Sequence, residues 1–330
     1  MTSGRSPLVW IVGRGGLLGG AIADLWTKDS SAVLWPPVTV RWADDTVASA
    51  QLVELTRSFL QRAGSERRPW RIVWAAGAGV VATGPEALAK ETRVYAAFIE
   101  GLGNCLDLDL ASGVSGSFFL ASSAGGVYGG SEDRPPYDED SPTGALSPYG
   151  REKLAQEAIA LQFASSRGVP TLIGRISNLY GPGQDVSKPQ GLITQIGRLT
   201  LHRRPVPIYV SLDTIRDYLF VRDAALMVTR AIERLEDATE RRTGSWGVVK
   251  IIASEAETTV AMVLTAWRQV LRRSPGVALA VHQASLLQPR CLSFRSRVWP
   301  DLRIDPVPLP IGVHAVFLDQ LRRLRLGELP

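Results

Sequence analysis

A tyrosine and a lysine stand four residues apart in SPYGREKLAQE, residues 147 to 157. On a helix that spacing stacks one side chain above the other, so the Lys153 ammonium can sit beside the Tyr149 phenol. A free tyrosine ionises near pH 10 and exchanges protons poorly at neutral pH, whereas a nearby cation favours its phenolate. A tyrosine so placed can act as general acid and base on an alcohol. Many surface helices carry the same pair by chance, and its meaning depends on what accompanies it.

A second pattern lies near the start. GRGGLLG puts glycines at 13, 16 and 19, directly after the apolar run LVWIV (8 to 12) and before LLGGAIADLW, whose apolar residues recur at helical spacing. Strand, tight turn and helix in that order let a pyrophosphate approach the backbone and face the helix N-terminus. A plain glycine turn is the other reading, and the strand-turn-helix context favours the dinucleotide. Together the two patterns suggest nicotinamide chemistry, in which a hydride moves as the tyrosine exchanges a proton.

Such residues must be held by a regular frame, and the sequence predicts one. Strands are expected at Ala32 to Trp35 and Val38 to Trp42, split by Pro36 and Pro37, and then at 71 to 77 and 117 to 123, and PTLIGRISNLYG (170 to 181) is expected to open with a strand. Helices are expected at about 45 to 63, 85 to 105 and 147 to 165. This alternation predicts parallel βαβ units and a doubly wound α/β sheet. After Gly181 prolines at 182, 189, 205 and 207 interrupt the chain, with helices at about 191 to 203 and 222 to 236. The last third offers a strand and a Thr-capped helix in GVVKIIASEAETTVAMVLTAWRQVL, then a basic amphipathic stretch near 314 to 326. The expected division is a dinucleotide domain over 1 to 181 and a substrate lobe over 182 to 330, with some later segments returning to the first.

At 330 residues, with 45% hydrophobic and 21% charged, the chain has the composition of a globular enzyme and shows no repeat or low-complexity segment. The net charge of +5 is spread over short pairs such as Arg67 and Arg68, Arg203 and Arg204, and Arg241 and Arg242. That suits a solvated face or an anionic small ligand, and no basic and aromatic array points to nucleic acid. The only cysteines, Cys105 and Cys291, have no metal-ligand spacing, so neither a disulfide framework nor a metal site is expected and a reducing cytoplasm fits. The five-residue apolar run at the N-terminus is too short for a signal segment or a membrane span.

The order GRGGLLG, WAAG, LASSAGGVYGG, SPYGREKLAQE, RISNLYGPGQ and RDYLFVRDAA resembles the extended short-chain dehydrogenase/reductase family, the NAD-dependent epimerase/dehydratase group that acts mainly on sugar nucleotides. The resemblance covers about residues 8 to 253 and is most specific from 117 to 223. It implies a Rossmann-type doubly wound parallel sheet with a smaller, mostly C-terminal substrate lobe and the active site between them. Carried over by position, Tyr149 becomes the acid/base, while Lys153 favours its phenolate and holds the nicotinamide ribose. Gly13, Arg14, Gly16, Leu17, Leu18 and Gly19, with Ala75, Ala76 and Gly77 of WAAG, become the dinucleotide contacts.

The resemblance departs at one catalytic position. Ala124 stands four residues before Tyr128, where many relatives carry the hydroxyl that binds the reacting oxygen; Ser123 is the first candidate to replace it and Ser122 the second, and either could simply cap a strand end. Asn178 matches a residue that lies against the substrate, and Arg216 matches an arginine on the nucleotide diphosphate, its alternative being an ion pair with Asp217 or Asp223. Arg290 matches a second diphosphate arginine loosely. Helices 85 to 105 and 147 to 165 match those through which relatives form dimers, so a homodimer is expected.

Cofactor form and reaction stay open at this stage. An NAD site places a carboxylate on the adenosine ribose about 20 residues after the glycines, but Trp35, Pro36 and Pro37 occupy that region. Arg14 and Arg41 suit a 2′-phosphate, so the residues favour NADP and the resemblance NAD; the cofactor is written NAD(P). Asp44 either ends a third strand against adenine or caps the next helix. Epimerisation of a sugar nucleotide is the reading adopted, with reduction of a keto-sugar nucleotide and a non-catalytic dinucleotide-binding protein as alternatives. Dehydration is disfavoured, because relatives of that type carry Asp-Glu where Ala124 and Gly125 follow Ser123.

Overall fold

Six parallel strands in the order β2-β1-β3-β4-β5-β9 form the central sheet of the computed structural model, which describes residues 5–188, 191–240, 246–280 and 289–329. They are β1 (Leu8–Val12), β2 (Val33–Leu34), β3 (Trp70–Trp74), β4 (Gly116–Ser123), β5 (Thr171–Ile176) and β9 (Gly247–Ile252). β1, β3 and β5 are buried at every position, as continuous apolar runs covered on both faces should be. One face is covered by α2 (Asp45–Ser65), α3 (Pro85–Asp107) and α5 (Pro148–Arg167), whose Phe59, Phe98 and Phe163 pack with Trp10, Trp74 and Phe118 of the strands. The other is covered by α1 (Leu17–Asp29) and α7 (Val221–Glu240). This is the expected Rossmann-type arrangement. The connection from β4 to β5 carries a short helix, α4 (Ala124–Tyr128), before α5.

A second sheet has the order β10-β8-β12, with β6 also paired to β8; these strands are β6 (Asn178–Tyr180), β8 (Ile215–Phe220), β10 (Glu257–Thr259) and β12 (Cys291–Leu292). A separate apolar cluster joins α6 (Leu192–Leu201), α8 (Val260–Leu271) and α9 (Leu309–Arg325), with Trp267 at its centre. A parallel pair, β7 (Val206–Ile208) with β11 (Val277–Leu279), lies beside it. Arg241 and Arg242, one of the basic pairs, fall outside the described residues.

Two expectations need correction. Val38 to Trp42 is not a strand, and β2 is only two residues long; Pro36 and Pro37 have no N–H to donate, so the ladder stops before them. The strand expected at 71 to 77 ends at Trp74, where the backbone leaves the sheet to meet the glycine turn. The segment 170 to 181 opens with a strand, β5, as expected, and then passes to β6 in the other sheet. The chain breaks at Ser177, whose N–H donates to Ile252 O at 3.0 Å and whose hydroxyl donates to Asp217 Oδ1 at 2.6 Å.

Candidate active site

The glycine turn is shaped by close approach of backbone to backbone. Gly13 has φ +90°, and a Cβ there would stand 2.5 Å from Ala76 N and 2.7 Å from the Ala75 carbonyl carbon. A side chain at Gly19 would collide with the Gly13 carbonyl. Gly16 is the N-cap of α1 and offers no side chain to the first-turn N–H groups, which leaves them available to an anion. Leu17 and Leu18 supply N–H groups in that turn, while the Leu18 side chain is buried under the sheet. Arg14 is half-buried in the turn. The donors and the missing side chains fit a pyrophosphate.

Tyr149 stands at the start of α5, which is capped by Ser147 and begins with Pro148. Gly126 of α4 and Gly150 of α5 pack backbone to backbone and bring the two helices together. As a result the Tyr149 ring and the Ser123 hydroxyl flank the same residue: a Cβ on Gly126 would lie 3.1 Å from Tyr149 Cε1 and 3.3 Å from Ser123 Oγ. Ser123 Oγ accepts from Gly126 N at 3.2 Å as the N-cap of α4, and keeps its own proton to donate. Lys153 lies one turn along α5, 8% exposed, with Nζ 5.9 Å from the Tyr149 ring centroid. It donates to Ala121 O at 3.3 Å and Gln156 Oε1 at 3.1 Å. A Cβ on Gly77 would stand 3.9 Å from that Nζ, so the WAAG loop, whose Ala75 N donates to Val12 O at 2.9 Å, joins the glycine turn to the lysine.

Ser122 is turned to the opposite face of β4 by strand alternation. Its hydroxyl donates to Glu157 Oε1 at 2.5 Å, and Glu157 is in turn paired with Arg175 at 2.7 Å. Arg175 Nη1 donates to Tyr128 OH at 2.5 Å. Burial pushes the Tyr128 hydroxyl up to about 12 against the opposing pull of Arg175, which makes Tyr128 a poor proton carrier. Of the two serines, only Ser123 is brought to Tyr149. Ala124 is fully buried in a cluster with Tyr128 and Leu292.

The remaining candidates lie around this centre. Ile176 pairs with Ser123, so Asn178, exposed two residues later on β6, stands just beyond the serine. Asn178 pairs with Tyr218 on β8, and Arg216 lies two residues before Tyr218 on the same strand face. Arg216 is buried, burial pulls its guanidinium down from the usual value, and Nη1 donates to Ile215 O at 2.7 Å. Asp217 points the other way, to Ser177 and Ser254, and Asp223 accepts from Val307 N at 2.7 Å. Arg290 is joined to β8 through its carbonyl, at 2.8 Å from Ile215 N, while its exposed side chain pairs with Asp213. Asp44 is a helix cap: Oδ1 accepts from Val47 N at 3.0 Å. Arg41 is exposed on the segment after β2, its N–H donating to Gln51 Oε1 at 3.1 Å.

Sequence reasoning missed Glu91, Gln156, Glu157 and Arg175. Glu157, four residues after Lys153, carried a spacing signal; Glu91 carried none, and only the fold brings its Oε1 to Ala78 N at 2.9 Å and Gly79 N at 2.8 Å. Among the described residues no helix is long and apolar enough to cross a membrane.

Residues 9–244 match the family model described as NAD dependent epimerase/dehydratase family. A dTDP-glucose 4,6-dehydratase of Xanthomonas campestris is 33% identical over 105 residues, 32% of this chain and 29% of that protein. A dTDP-L-rhamnose 4-epimerase of Burkholderia thailandensis is 31% identical over 93 residues, 28% of this chain and 26% of that protein. The matched stretches thus span less than a third of these relatives. Among solved structures, the Thermus thermophilus UDP-glucose 4-epimerase in complex with NAD superposes with a TM-score of 0.73 at 19% identity, covering 94% of this chain and 98% of that one.

Proposed function

This chain belongs to the NAD dependent epimerase/dehydratase family, of the extended short-chain dehydrogenase/reductase type, and from that premise we propose that it is an NAD(P)-dependent epimerase of a sugar nucleotide. The observation that carries the reading is the meeting of the Tyr149 ring and Ser123 Oγ over Gly126, with Lys153 buried one turn away. Ser123 donates a hydrogen bond to the reacting sugar oxygen, and Tyr149 takes the proton from that hydroxyl. The Lys153 charge favours the phenolate and its free donor faces Gly77, where a ribose would lie. Gly13, Arg14, Gly16, Leu17, Leu18, Gly19 and Ala75 to Gly77 would hold a nicotinamide dinucleotide, which would supply hydride acceptance and return. Tyr149 then gives its proton back to the carbonyl oxygen, which leaves the opposite epimer if the ketone has turned in the site. Arg216 and Arg290 hold the nucleotide diphosphate and Asn178 the sugar. Residues 1–181, with α7 and β9, form the dinucleotide side and the rest of 182–330 the substrate side. α3 and α5, adjacent on one face of the sheet, form a homodimer interface.

Dehydration is disfavoured because Ala124 is fully buried and Gly125 has no side chain, so no acid or base follows Ser123. Reduction of a keto-sugar nucleotide is the second reading, supported by the lack of a carboxylate after β2 and by Arg14 and Arg41 nearby in sequence. The test is to identify the nucleotide that co-purifies with the protein and to screen UDP- and dTDP-hexoses for epimer exchange. Retained NAD without net reduction supports epimerisation, and dependence on added NADPH turns the assignment to reduction. Tyr149→Phe is expected to lose about 100- to 10,000-fold in turnover, the range of general acid/base catalysis, while still binding cofactor. Unchanged turnover in that variant removes Tyr149 from the mechanism, and a protein that binds dinucleotide but turns over no sugar nucleotide is a non-catalytic binder.

A further inference from the structure

Two consecutive residues of α5 are buried in different company. Glu157, 3% exposed, turns to the Arg175 ion pair behind β4 and β5. Gln156, 4% exposed, turns to Lys153: its Oε1 accepts from Nζ at 3.1 Å, and its Nε2 donates to Thr92 Oγ1 on α3 at 3.2 Å. A buried carboxamide is costly unless both of its ends are bonded, and here both are. We propose that Gln156, anchored by Thr92, is a positioning residue that orients the Lys153 ammonium while leaving its charge uncancelled.

The reason lies in the choice of acceptor. A buried ammonium needs acceptors for its three N–H donors, and Gln156 with Ala121 O takes two of them without adding charge. The third is left for Tyr149 and the cofactor side. A carboxylate at 156 would place a negative charge at hydrogen-bond distance from Nζ and oppose the field that favours a phenolate at Tyr149. Of the other charged groups near Lys153, Glu157 and Arg175 neutralise each other, while Glu91 keeps its charge beside Gly77. Glu91 of α3 holds the N–H groups of Ala78 and Gly79, and Glu157 of α5 and Arg175 of β5 hold each other. The 8% exposure of Lys153 makes the local acceptor decisive, since little water reaches it.

The inference rests on Tyr149 and Lys153 having the roles proposed above, so it is tested by two independent readouts. The first is the ultraviolet pH titration of Tyr149, isolated by subtracting the titration of the same protein carrying Tyr149→Phe. Gln156→Glu is expected to move that midpoint upward, a shift readable even if the reaction has been misassigned. The second is steady-state kinetics: Gln156→Met, which keeps the bulk without the acceptor, is expected to lower kcat by about 10- to 100-fold with little change in KM. Thr92→Val should shift kcat in the same direction by less, and Thr92→Ser, which retains the acceptor, should restore it. If the Gln156 variants fail to fold, the Thr92 pair decides. An unmoved Tyr149 midpoint in a folded Gln156→Glu protein, or equal kcat in Thr92→Val and Thr92→Ser, overturns the proposal. Loss of all turnover in the parent, with the titration shift intact, overturns the reaction and not the role of Gln156.

Discussion

Asp217 illustrates what a single buried charge costs. It is fully buried; Oδ1 accepts from Ser177 and from Ser254 N, and Oδ2 has no hydrogen-bond partner. Burial raises its carboxyl above the ordinary 3.8, opposed by the bonds from Ser177 and Ser254. A carboxyl raised on folding binds its proton more tightly in the folded state. Stability is therefore greatest below the unfolded value and declines as pH climbs through the interval up to the folded one. Asp217→Asn removes the titration and keeps an acceptor for Ser177. Its melting temperature relative to the parent should rise between pH 4 and neutrality, and parallel curves for the two proteins would refute this. Arg216 next to it is buried with the opposite sign on the opposite face, so one strand carries a structural charge and a candidate binding charge side by side.

At the scale of elements, β4, α5 and β5 are clamped by a buried polar chain from Ser122 through Glu157 and Arg175 to Tyr128. A buried pair contributes little against apolar side chains of equal volume, but breaking it strands a charge. Glu157→Gln should cost about 3–5 kcal/mol in denaturant unfolding, and Glu157→Leu with Arg175→Met together should recover most of that loss. A single-variant cost below about 1 kcal/mol, the level of an exposed pair, would show that the clamp is not needed. The glycines at 126 and 150 work at this scale too. They let α4 and α5 touch, and that contact carries the Tyr149 ring to Ser123.

At the scale of the molecule, α3 and α5 lie side by side on the face of the sheet that carries α2. Pairing of that face between two copies predicts a dimer mass by light scattering at micromolar concentration, and a monomer mass would count against it. Much of the frame was legible in the sequence, because strand and helix periods and glycine turns are local properties. β1, the glycine turn and α5 with its Ser147 cap follow from neighbouring residues alone. The failures came where local signal stops. Val38 to Trp42 has strand-like residues but no partner that Pro36 and Pro37 allow it to reach, and after the strand that opens 170 to 181 no local signal marks Ser177 as the point where the chain passes to a second sheet. The sequence by itself determined the types and order of the groups proposed to do chemistry, Tyr149, Lys153 and the glycines, since their spacing lies within single elements. Only the tertiary structure separated Ser123 from Ser122, placing the one beside the Tyr149 ring and the other on Glu157 at the opposite face of β4, and only it brought Thr92 of α3 and Gln156 of α5 toward Lys153, because contacts between elements depend on packing that no local pattern encodes.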